Sequence, residues 1–282
     1  MSDLMVIPNN IEDMSDAELA KFVGSAQEHS ASQFPTLRVN YDDEDDDKNT
    51  LPRGHWCIAT DGKRIFAPSV QFQIMFTAMQ YSHYDPDEGK MVNQSVYFRN
   101  FGDDIPDIKG GQKCGSIPRK QREDLSKEEQ DYQRNIKLAK VLFGLVTIDG
   151  VNQKGEPASA ENVPCIFYAK GTHFMPMANY IDAVDKRGKA IPQSLIQMDL
   201  TRQKNGGVVY WEVTPTEAKT VKLNKDHVAA MSVFAQFVQE ENDILLGKWK
   251  AARAKMGSPD MKEVAGAQEV IDPDLDDPLD FD

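Results

Sequence analysis

Cysteine is scarce in this chain, and the little there is forms no pattern. Cys57, Cys114 and Cys165 are odd in number and far apart, so neither a disulfide framework nor a CxxC zinc site has its spacing. Each reads as a buried free thiol in a reducing compartment. Long apolar runs are missing too. No stretch approaches the roughly 18 to 20 residues of a membrane-spanning helix. The opening MSDLMVIPNN lacks the basic flank and apolar core of a secretory signal. The expectation is a protein of the cytoplasm with no membrane partner.

Catalytic signatures are equally sparse. The chain contains no GxxxxGK[ST], no GxGxxG after a strand, no HExxH and no GxSxG, which removes sequence support for the ordinary NTPase, dinucleotide, zinc-protease and hydrolase classes. The five histidines, His29, His55, His83, His173 and His227, never fall at i, i+2 or i, i+4. No cofactor or metal is implied. One arrangement is loosely similar to the PD-(D/E)xK nucleases: Pro86-Asp87, the strand-like SVYFRNF, then Asp107-Ile108-Lys109. In that pattern two carboxylates hold Mg²⁺ and a lysine positions the attacking water. Asp87 falls in a turn and Asp107 in a Gly/Pro-rich loop, whereas metal carboxylates need rigid supports. A non-enzyme is therefore expected, with a Mg-dependent nuclease as one alternative and a structural or interaction protein as another.

What the chain does have is acid, very unevenly placed. The formal charge of −13 is concentrated in two runs. Asp260 to Asp282 carries nine acids against Lys262, and Asp42 to Lys48 (DDEDDDK) carries six against one. The remainder is neutral, so the overall acidity describes two appendages and does not argue against binding a polyanion.

The periodicity divides the chain into four parts. Residues 1–34 form an N-terminal arm and a helix capped by Ser15, with Ala17, Leu19, Ala20, Phe22 and Val23 on its apolar side. Residues 35–223 read mainly as β-structure. HWCIAT and KRIFA flank Asp61-Gly62 as a hairpin. LIQMDLTRQ and VVYWEVT flank Lys204-Asn205-Gly206-Gly207 as a second. AKVLFGLVTID reads as a strand ending at an Asp149-Gly150 turn, VPCIFYAKG as another, and Phe174 to Val184 as a short helix. Ser126 and Glu129 have capping-box spacing. Residues 224–256 form a long helix with Val228, Met231, Phe234, Val238, Leu245 and Trp249 at helical spacing. Residues 257–282 are expected to be a disordered acidic tail. Short strands with few helices between them predict a mainly β (α+β) fold, an antiparallel OB-like partly closed barrel decorated with helices.

Aromatic rings interleaved with cations are what sequence-independent binding of single-stranded nucleic acid requires: faces for bases and positive charge for phosphates. Trp56 stands near Arg53, Lys63 and Arg64; Tyr97 and Phe98 precede Arg99; Phe167 and Tyr168 precede Lys170; Tyr210 and Trp211 face the hairpin arm bearing Arg202 and Lys204. Neighbours in a strand point to opposite faces, so at most one of each pair is core and the other has another use; Tyr97, Tyr168 and Tyr210 are the candidates for the exposed member. The segment KGGQKCGSIPRKQR adds Lys109, Lys113, Arg119, Lys120 and Arg122 with no acid, and reads as a mobile cationic loop whose glycines let backbone approach a phosphate.

The last residues, DPDLDDPLDFD, set Leu275, Leu279 and Phe281 among six aspartates. A partner can take one apolar side chain into a pocket while basic residues around it take the carboxylates. With this tail, from Ile271 onward, the chain resembles bacterial and bacteriophage single-stranded DNA-binding proteins. That resemblance implies an OB-fold core, coating of single-stranded DNA, and recruitment of replication or recombination proteins through Asp276, Asp277, Leu279, Asp280, Phe281 and Asp282. It also implies a bacterial host cytoplasm for a protein of phage origin. The oligomeric state stays open, a homodimer included.

Overall fold

Gly62 has a φ of +72°, a value that side chains resist. It lets β2 (Trp56–Thr60) fold back on β3 (Lys63–Ala67), in register from Trp56–Ala67 to Thr60–Lys63. This is the first expected hairpin. The computed structural model describes residues 34–256 apart from 46, 47, 61, 102 and 103. The N-terminal helix and the acidic tail expected from the sequence lie outside the described residues.

Five strands close on themselves. β1 (Thr36–Val39) pairs with β2, β2 with β3, the end of β3 with β6 (Ile136–Asn152), and β6 with β7 (Pro157–Lys170), which returns to β1. The protein is thus mostly β around a closed five-strand barrel. An odd number of strands that follow one another up and down must leave the first and last running the same way. Accordingly β1 and β7 are parallel, and among the described residues every other strand pair is antiparallel.

Closure depends on Gly150. A Cβ there would lie 1.9 Å from the Phe66 carbonyl oxygen, so only a bare backbone admits β3 beside β6 at this point. The sequence signal Asp149-Gly150, expected to be a turn, is therefore mid-strand. β6 runs on to Asn152 and the chain reverses around Gly155, at φ +76°.

Beyond the ring the sheet continues through β4 (Ser69–Asp85), β8 (Ser194–Asn205) and β9 (Val208–Thr220), with β5 (Lys90–Gln94) on the far half of β4. The 17-residue β4 has no counterpart among the sequence expectations. Its alternation is broken by a bulge between Ile74 and Phe76, opposite Gly144.

The barrel interior holds Leu37, Trp56, Ile58, Leu142, Ile148 and Phe167, and Phe72 of β4 belongs to the same core cluster. Met177 and Ile181 of α2 (Phe174–Lys186) pack onto it. The short α1 (Lys127–Asn135) begins with the expected Ser126–Glu129 capping box. The long α3 (Lys225–Met256) lies on the outer sheet face. It buries Phe234, Phe237 and Val238 against Met75, Phe143 and Ile166, and Leu245 against Met79, Phe98 and Ile105. Each such phenylalanine contributes about 1.5–3 kcal/mol of apolar burial, so the helix is part of the same folded body. All three cysteines are free and buried. Among the described residues no helix is long and apolar enough to cross a membrane.

Candidate nucleic-acid interface

The β8–β9 hairpin turns on Gly206 and Gly207, pairing Asn205 with Val208, Lys204 with Val209, Arg202 with Trp211 and Leu200 with Val213. Alternation puts Lys204, Arg202, Val209 and Trp211 on the face that, nearer the barrel, carries Met198 and Val213 into the core. Where the hairpin outgrows the barrel, this inward face becomes the wall of a cleft of about 440 Å³ lined by Arg53, Arg202, Gly207, Val209 and Trp211.

The opposite wall is the loop between β1 and β2. Buried Asn40 stitches it together, donating from its side chain to the carbonyls of Asp42 (2.9 Å) and Pro52 (3.1 Å), while its own carbonyl accepts from Gly54 N–H at 2.7 Å. Gly54, at φ +73°, lies under the indole of Trp211, where a Cβ would come within 2.1 Å of the ring. Tyr41 meets the same ring edge-on at 5.6 Å between centroids. Burial raises the Tyr41 hydroxyl pKa, with a hydrogen bond from the Trp211 backbone pulling the other way. The guanidinium of Arg53 sits 5.6 Å from the Trp211 ring centroid, within reach of a cation–π contact. Its other contact is Asp43 of the acidic run, at 3.3 Å. The cleft therefore joins a supported, partly exposed indole to two guanidinium groups, with the Lys204 strand position beyond them.

Several expected residues lie elsewhere. Trp56 is 0% exposed: its indole N–H donates to the Met198 carbonyl at 2.9 Å and its ring meets Phe167 edge-on at 5.2 Å. It is a core residue, because β2 begins where the barrel closes, and no base can reach it. Tyr97, 8% exposed, lies under α3. Asn242 brackets its backbone, accepting from Tyr97 N–H at 2.7 Å and donating to its carbonyl at 3.0 Å. The Tyr97 and Tyr168 hydroxyls are 3.2 Å apart, and burial first, then Tyr168, drives the Tyr97 pKa far upward. Neither tyrosine is a free platform, since the helix covers the sheet face both occupy. Tyr210 pairs with Gln203 on the hairpin's other face; its neighbour Trp211 is the ring that faces the cations.

The cations divide likewise. Lys63 and Arg64 sit at the far end of the β2–β3 hairpin from Trp56, and Arg99 stacks over Phe76 at 4.6 Å. The segment from Lys109 is a built loop rather than a mobile one. It wraps around Asp107, 2% exposed, whose carboxylate accepts from the backbone N–H groups of Lys109 (3.0 Å), Gly111 (3.2 Å) and Cys114 (3.0 Å). The donors expected to face a phosphate are thus already turned inward onto a carboxylate. Gly110, at φ +87°, packs against Ala252 and Arg253 of α3. Lys109, Arg119 and Lys120 are exposed, while Lys113 and Arg122 are half-buried; none of the five lines the Trp211 cleft. Lys170 lies at the end of β7, in a second cleft with Tyr84, Asn135, Lys137 and Gly171. The tail residues Asp276 to Asp282 lie outside the described residues.

The nuclease arrangement gains no support from this geometry. Asp107 is committed to its own loop, Asp87 is exposed in the turn after β4, and among the described residues no three His, Cys, Asp or Glu side chains are grouped to hold a metal ion. The residues the sequence reading undervalued are Trp211, Arg53 and Tyr41. A signal for the first was available. A two-residue Gly-Gly turn sets the register and with it the Arg202–Trp211 pairing, whereas a looser four-residue turn leaves the faces undefined. Comparison with protein-family models, with curated proteins and with solved structures found no match to this chain.

Proposed function

We propose that this chain is a non-catalytic protein that binds single-stranded DNA without sequence specificity. A base stacks on Trp211 while Arg53, Arg202 and Lys204 take the adjoining phosphates. The observation that carries this reading is the Trp211 cleft, where a ring held from behind by Gly54 and Tyr41 is flanked by guanidinium groups. A five-stranded barrel is the scaffold on which OB-type proteins bind single strands. The likeness here is to the barrel, because the strands follow the ring in chain order and not in a Greek key. In this reading the tail, ending in Leu279, Asp280, Phe281 and Asp282, recruits replication or recombination proteins in the cytoplasm. It also competes with DNA for the cationic cleft.

The test is fluorescence polarisation with labelled oligothymidylate against duplex across a salt series. Preference for the single strand, and affinity that falls with salt, are expected. Trp211→Ala weakens single-strand binding by about 10- to 100-fold, the range of one lost base stack. Removing the residues after Pro259 leaves binding intact or tightens it. Absence of oligonucleotide binding at low salt defeats the reading.

A further inference from the structure

The second cleft is smaller, about 270 Å³, and is built from the ends of three strands and one helix. Lys137 opens β6 and Lys170 closes β7; Ala139 pairs with Lys170, and Ser82 of β4 pairs with Lys137. Both lysines reach solvent. Among the described residues neither has an ion pair or a side-chain hydrogen bond. The Lys137 ammonium is held below the usual lysine range by desolvation and then by the positive charges of Arg122 and Lys170. The two ammonium groups of Lys137 and Lys170, with no carboxylate paired to either among the described residues, repel one another until an anion enters. Tyr84, which lines the same cleft, is 47% exposed and keeps a face open to solvent. Of the acids close in sequence, Asp85 caps its own turn by accepting from Asp87 and Glu88 N–H, Glu88 pairs with Lys90 at 2.8 Å, and Asp87 is exposed in the turn and does not line the cleft.

The two clefts share a rim of the barrel. β1 and β7 are parallel neighbours, Leu37 beside Phe167, so the strand leading to Tyr41 and the strand ending at Lys170 emerge on the same side. We propose that the Lys137–Lys170 cleft is a second subsite for the same single strand, holding one phosphodiester between the two ammonium groups while a neighbouring base stacks on Tyr84. The inference rests on the proposed function and adds to it the path of the strand, from Trp211 across the rim to Tyr84.

Strand length separates the two ideas. Oligothymidylates of about 4 and about 16 nucleotides bracket the site sizes of single barrels, and only the longer one spans both clefts. In a salt titration the longer oligonucleotide shows the steeper slope, by about 0.7 for each additional phosphate neutralised. The double variant Lys137→Gln/Lys170→Gln brings that slope down toward the short strand's value and leaves short-strand affinity unchanged. Tyr84→Ala weakens the long strand about tenfold and Tyr84→Trp restores it, as stacking requires. All three side chains reach solvent, and circular dichroism confirms that each variant is folded. Long-strand slope and affinity unchanged in the lysine variant, with Trp211→Ala still weakening both lengths, overturns the second subsite and leaves the function standing. Equal weakening at both lengths also overturns it, because a general field rather than a subsite acts that way. If Trp211→Ala changes neither length, the function itself fails and this inference with it.

Discussion

Trp56 and Trp211 occupy neighbouring regions of one molecule and have opposite fates. The first is sealed in the barrel, donating to the Met198 carbonyl of β8. The second sits on the β8–β9 hairpin, beyond the Met198 carbonyl that Trp56 meets, on the face continuous with Met198 and Val213, at the edge where that face leaves the core. Neither residue type nor local strand pattern distinguishes them. The difference is how far the hairpin projects past the ring: inside, a ring fills volume, and outside, the same kind of ring backed by Gly54 becomes a surface.

The largest effect that separates the two regions is on stability. Trp56→Ala costs about 3–5 kcal/mol by the cavity it leaves, seen as a lower urea midpoint, while Trp211→Ala shifts that midpoint far less and acts on DNA affinity. Comparable destabilisation by both would erase the distinction. Acid supplies a second contrast. His173 is buried, accepts from Val213 N–H at 3.3 Å, and has its pKa pushed down to about 4 by burial. The unfolded chain binds this proton near the ordinary value of about 6.5. Stability is therefore complete above that pH and is lost as pH falls from there toward 4, by at most about 3 kcal/mol. His173→Gln flattens this part of the stability–pH curve.

Gly54→Ala tests the cleft from behind. Its Cβ collides with the Trp211 indole and the left-handed backbone costs about 1–2 kcal/mol, so single-strand affinity falls while the barrel survives, read by parallel binding and thermal melts. The smallest expected change is in Arg202→Gln, which lowers the salt slope of binding by about 0.7; an unchanged slope removes Arg202 from the phosphate path.

The two hairpins, the capping box, α2, α3 and a mainly β barrel were legible because each rests on local signals, whereas the expected short strands are in fact long, 17 residues in β6 and 14 in β7. Those signals are glycines at left-handed turns, Ser126 three residues before Glu129, and apolar residues at helical spacing. β4 was not legible, since a strand buried on both faces and bulged at Met75 loses the alternation that marks a strand. Gly150 was misread for a related reason: a glycine that turns the chain and a glycine that admits a passing carbonyl look the same in sequence. Of the residues that line the Trp211 cleft, the sequence pattern singles out Arg202, while Tyr97 and Tyr168, expected to be exposed rings, lie beneath α3. Which sheet face α3 covers is a long-range fact. The inward wrapping of the Lys109 loop around Asp107 is likewise invisible until the loop is folded.

The parallel seam between β1 and β7 has a further consequence. It rests on only two residue pairs, Thr36–Ile166 and Leu37–Phe167, and joins parts of the chain made far apart, so its loop-closure entropy is large for few hydrogen bonds. β1 is thus the stave that loosens first, and it leads directly into Tyr41 and the wall of the Trp211 cleft. A ligand gripping that wall acts as a hoop around the cask: its binding free energy is available to hold the seam shut, and amide exchange along Thr36–Val39 slows as the cleft fills.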